Sequence, residues 1–323
     1  MGGVNSVKFI AGVTAGLSAV LLGGFVIHWY FFGGDGRVPE PQAKVAPTAN
    51  FAEIVNTVSP SLRTHRLAGN EEILVLDFPD LIGQARALNR LAVLVEKHDA
   101  PRNRVLNDIE LAVFISGSGT SAETLYFGHD YRASDIARFF NLAQAGGVAL
   151  NPDELALRDL LIGHRFLRAS DAGYEAVPPG QALVSVVQLQ ADDPATPQDE
   201  TVDRGLRETI LYHELSHGVF FTDKAYREHS ERFWYQDLSV GERSLFRSFL
   251  SSAGYDPTNE RIMINEMQAF LMHTPDTRAF SAAHLGVDEV SLATLRHRFA
   301  KDAPPSARFG GDGAFAGITP AQQ

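Results

Sequence analysis

The 323-residue sequence contains no cysteine, which excludes disulfides, thiolate metal sites, iron–sulfur clusters and cysteine catalysis. Any metal in this chain has to be held by histidine and carboxylate, a donor set that suits zinc, and manganese less well. Positive charge is scarce: 28 Lys and Arg stand against 39 Asp and Glu, a net charge of −11. With no Lys/Arg-rich run, that balance argues against a nucleic-acid partner. Charge of either sign is missing altogether from 9–32, where 24 residues include no Asp, Glu, Lys or Arg. What is present is ordinary for a globular protein: 45% hydrophobic and 21% charged residues, with length for one large or two ordinary domains.

As a helix, 9–32 would extend about 36 Å, enough to cross a hydrocarbon core of about 30 Å. It ends in Trp29, Tyr30, Phe31 and Phe32, an aromatic cluster of the kind found at membrane interfaces. A cleavable signal peptide would have a shorter apolar region ending in small residues. The expectation is an uncleaved transmembrane anchor in the lipid bilayer behind a short tail, 1–8. Lys8 and the amino terminus then put the bulk of the chain outside the cytoplasm. Residues 33–50, rich in Gly and Pro, read as a linker, and 303–323, rich in Pro, Gly and Ala, as a disordered tail.

The domain between them, 51–302, divides into an α/β part (about 51–195) and a helical part (about 196–302). Residues 72–77 read as a strand and 81–97 as a helix, with Leu81, Ala85, Leu88, Leu91 and Val95 on one face. Residues 110–115 and 123–127 read as two strands around a Gly-Ser turn. That turn, Gly117-x-Gly119-x-x-Ala122, matches the start of a dinucleotide fingerprint, but the helix such a site needs does not follow, so no nucleotide is expected. Helices are predicted over 134–144 and 152–166, the latter with Asn151 as cap and Pro152 in its first turn. Residues 182–190 read as a strand.

A helix predicted from Thr196 to Val219 carries the chain's most informative motif, His213-Glu214-Leu215-Ser216-His217. Residues four apart share a helix face, so both imidazoles can reach one ion, while Glu214 lies beside the ion's open side and can deprotonate a water. Catalytic zinc usually takes three protein ligands. Asp223 lies six residues after His217, but that arrangement needs a sharp turn and the chain has Phe220 there. Glu231 lies in a charged segment, and Glu242 is accounted for by a capping box with Ser239 on a helix to Ala253. Glu266, on a further helix over 258–273, is a lone carboxylate among apolar residues, costly to bury without a cation. Glu266 is the preferred third ligand, and Asp223 the second candidate.

With these residues in place, the sequence resembles the gluzincin zinc metallopeptidases, in which His-Glu-x-x-His is completed by a glutamate from a later helix. The resemblance covers 209–270, about a fifth of the chain, and Asn265-Glu266-x-x-Ala269 is similar to the second family motif. The Gly-x-Met-Glu-Asn segment of the aminopeptidase branch is absent, and Phe270 stands where thermolysin-like enzymes carry an Asp supporting a zinc histidine. The resemblance implies an α+β, zincin-like fold, Zn2+ on His213, His217 and Glu266, and Glu214 as general base in hydrolysis of a peptide or protein substrate. Gluzincins often use a His or Tyr to stabilise the oxyanion, and His229 and Tyr235 follow the motif helix, but an ordinary amphipathic role is the preferred reading for either and that residue is left unassigned. The competing reading is a membrane-tethered binding protein with an inactive zincin-like domain; the intact Glu214 argues against it.

Overall fold

Two apolar runs, 73–76 and 182–187, form the centre of the protein. In the structure, a computed structural model that describes residues 45–97, 100–196 and 198–310, both lie inside a five-stranded mixed sheet. Its strands are β1 (Thr48–Ala49), β2 (Arg63–Leu67), β3 (Asn70–Phe78), β4 (His129–Arg132) and, after a separate hairpin of β5 (Leu167–Ser170) and β6 (Gly173–Ala176), β7 (Ala182–Val187). The order is β1-β2-β3-β7-β4. β3 and β7 run parallel, while β4 closes the sheet antiparallel to β7. Alternate residues of each strand face opposite ways, and here both faces are covered. Ile73, Val75, Val184 and Val186 belong to one apolar cluster, and Leu74, Leu76, Leu183 and Val187 to another.

The second cluster is completed by α2 (Leu81–Glu96), α4 (Ala133–Ala145) and α5 (Pro152–Gly163); a short α1 (Phe51–Val55) and α3 (Asp108–Gly117) precede α4 in the chain. The first cluster is formed against α6 (Arg204–Thr222) and the helices after it: α7 (Lys224–Arg232), α8 (Val240–Ser252), α9 (Glu260–His273), α10 (Ala282–Leu285) and α11 (Glu289–Lys301). α6 lies close against the sheet: a Cβ at Gly218 would come within 3.0–3.3 Å of Ile73. Its other end is tied down by Arg207, which donates to both carboxylate oxygens of Asp77 on β3 at 2.9 Å and to the Ile54 and Val55 carbonyls. These anchors set the depth at which His213 and His217 sit.

Several expectations are corrected. Among the described residues no helix is long and apolar enough to cross a membrane. The α+β architecture therefore stands without the transmembrane helix expected as part of the fold class, and the single-pass membrane localisation is withdrawn with it. The segment that prompted both, 9–32, lies outside the described residues.

The strand pair expected at 110–115 and 123–127 is not formed. Residues 108–117 are α3, because Asn107 and Glu110 make a reciprocal capping box that starts a helix despite the β-branched residues inside it. α6 begins later than expected, where the Asp203 side chain accepts from the Leu206 amide. Part of the predicted disordered tail is packed: Pro305–Arg308 forms a 3-10 turn with Ala307 buried, and Phe309 stacks on His273. Residues 311–323 lie outside the described residues.

Candidate metal centre

The helical spacing of His213 and His217 puts their rings together on one side of α6, with centroids 4.7 Å apart. α9 packs against that side and presents Glu266. Its Oε2 lies 3.6 Å from His213 Nε2 and 3.7 Å from His217 Nε2. Tetrahedral ligand atoms about 2.0–2.2 Å from an ion stand roughly 3.3–3.6 Å apart, so the three groups are spaced as ligands would be. Glu266 is 5% exposed, and among the described residues its Oε2 has no hydrogen-bond partner. A buried carboxylate oxygen facing two imidazole nitrogens, with no donor of its own, fits a cation.

The histidine chemistry fits as well. Thr274 Oγ1 donates to the Ala269 carbonyl at 3.0 Å, so at 2.8 Å from His213 Nδ1 it can only accept. His213 Nδ1 therefore carries the proton, and the Nε2 lone pair faces Glu266. Phe270 packs edge-on against the His213 ring, 4.7 Å between centroids. Behind the motif, Gln268 donates to Ser216 Oγ, whose hydroxyl donates to the His213 carbonyl. Burial lowers both histidines to about 4, so they are neutral at physiological pH.

Glu214 lines the same cavity of about 550 Å3. Its pKa is raised, first by burial and then by Asp130, Glu266 and Glu96. Asp130 and Glu96 are additions that sequence reasoning missed. Asp130 projects from β4 with Oδ2 3.6 Å from His217 Nε2, and burial raises its pKa. Glu96 ends α2 and is pushed up to about 8 by burial and by Glu266. Tyr255, also lining the cavity, stands beside Glu266 and opposes the upward shift that burial causes there. The available signal for Asp130 was the alternation His129-Asp130-Tyr131-Arg132, apolar-type rings one way and charges the other; four residues were too few to read as a strand. Glu96 carried the same kind of signal as Glu266, an acid after a long apolar face.

Other candidates are placed elsewhere. Asp223 caps α7 by accepting from the Tyr226 amide at 2.8 Å. Glu242 closes the Ser239 capping box and pairs with Arg298. His229 donates to the Phe299 carbonyl at 2.9 Å and accepts from Arg232, and Tyr235 is 56% exposed; neither lines the cavity that holds His213, His217 and Glu266. Compared with known proteins, the chain matches no family model, no curated protein and no solved structure.

Proposed function

We propose that the protein is a zinc-dependent peptidase with a gluzincin-like ligand set. The supporting observation is the meeting, in one cavity, of three neutral-or-anionic donors spaced as ligands with the carboxylate of Glu214 next to them. His213, His217 and Glu266 would hold the ion. Bound zinc supplies Lewis acidity, which acidifies water and polarises a carbonyl.

Glu214, buried and raised in pKa, is suited to take a proton from the attacking water and return it to the leaving amine. β4 has β7 on one side only, and among the described residues no strand covers its other edge. An extended peptide can add there through its backbone. Leu125, Phe127, Leu206, Ile210 and Phe270 line the cavity beside that edge, which favours an apolar side chain next to the cleaved bond.

The test is cleavage of a peptide library by the purified protein with zinc and with a chelator. Chelator-sensitive cleavage is expected, and Glu214→Gln should lower it about 100- to 10,000-fold while retaining zinc. Undiminished cleavage by that variant, or cleavage indifferent to chelator, would overturn the proposal.

A further inference from the structure

We infer that Gly128 is a positioning residue that fixes where the Glu214 carboxylate stands, and that a buried clamp centred on Gln84 keeps it pressed there. The inference rests on Glu214 acting as the base in the peptidase reading above. Gly128 precedes β4 and is absent from the glycines with positive φ, so backbone freedom does not explain it. Space does. A Cβ at this position would fall 2.5 Å from Glu214 Oε1, 2.7 Å from Glu214 Cγ and 2.7 Å from Ile210 Cγ2. These distances are shorter than real Cβ contacts, so some atom has to move.

The strand side cannot readily give way. Gln84 of α2 donates its amide to the carbonyls of Tyr126 and Phe127, at 3.4 and 3.2 Å, just before Gly128. The Gln84 carbonyl accepts from Ser185 Oγ at 2.9 Å. With its hydrogen so used, Ser185 Oγ accepts from His129 Nδ1 at 3.0 Å, just after Gly128. Gln84, Ser185 and His129 are all buried. The chain is thus pinned on both sides of Gly128 to the interior of the sheet. Ile210 is β-branched and stiff in a helix, which leaves the Glu214 side chain as the group a methyl would displace. A misplacement of about 1 Å costs roughly 100-fold in rate.

The test compares wild type, Gly128→Ala, Gln84→Met and the double variant, each with zinc, by crystallography, zinc affinity and steady-state kinetics. In Gly128→Ala the Glu214 carboxylate should shift by about 1 Å while His213, His217 and Glu266 stay in place and zinc affinity is kept. The roughly 100-fold loss should fall on kcat rather than KM. With the clamp removed by Gln84→Met the strand can recede, so adding Gly128→Ala should cost several-fold less than it does alone; this comparison also serves if one single variant folds poorly. An unmoved Glu214 in Gly128→Ala, or equal losses with and without the clamp, would overturn the inference. If Glu214 moves as expected but wild type shows no zinc-dependent hydrolysis, the positioning role stands and the peptidase reading falls.

Discussion

Two buried carboxylates lie against the same helix, α6, and are treated in opposite ways. Asp77 is fully buried and every oxygen has donors: both guanidinium nitrogens of Arg207 at 2.9 Å, and Gln188 Nε2 at 2.7 Å. Glu266 is nearly as buried, yet its Oε2 faces two neutral imidazoles and no donor. One arrangement completes an ion pair within the fold. The other leaves an anionic oxygen uncompensated, as a fold does where something from outside supplies the charge. The difference separates a charge satisfied within the fold from one left open beside the same helix.

The largest effect expected from breaking this comparison is on stability. Arg207→Met strands Asp77 without its cation and should cost about 3–5 kcal/mol in urea unfolding. Glu266→Gln, measured with chelator present, should cost nothing or stabilise. The Glu266 pKa is raised on folding by burial, so its stabilising contribution is present in acid and is lost as pH rises through the folded value. At neutral pH the metal-free fold therefore gains by losing that charge. Equal destabilisation by the two variants would erase the distinction.

A smaller effect is expected at Thr274. Thr274→Val keeps the shape and removes the acceptor that holds the His213 Nδ1 proton. Zinc affinity should fall about 10- to 100-fold by competition titration with the fold intact; unchanged affinity would show that Thr274 does not orient the ring. A last effect, confined to acid pH, concerns His129, which burial lowers to about 3 from the usual 6.5. Between these values the unfolded chain binds the proton and the folded one does not. Its contribution is thus full above pH 6.5 and is lost as pH falls toward 3, by at most about 1.4 kcal/mol per unit. His129→Gln should flatten the acid limb of the stability profile by that slope. An unaltered slope would mean that His129 titrates normally.

The His213–His217 spacing and Glu266 could be read from the sequence because helices report their faces at fixed intervals, and an acid in an apolar helix is conspicuous. Asp130 could not. It depends on β4 pairing with β7 across 54 residues of separation, Asp130 opposite Val184, and no local pattern encodes that pairing. Nor could Thr274 be distinguished from a helix-ending threonine until α9 was packed on α6. The strand expected at 110–115 is helical for a local reason: Val113 and Ile115 suggest a strand, and the Asn107–Glu110 capping box outweighs them.

The most direct test of the central claim is zinc stoichiometry. Metal analysis after dialysis against limiting zinc, with calorimetric titration of the metal-free protein, should give one tightly held zinc per chain. Glu266→Ala should lose that zinc, while Asp223→Ala keeps it. A wild-type chain that takes up no zinc, or a Glu266→Ala variant that retains it stoichiometrically, would contradict the account.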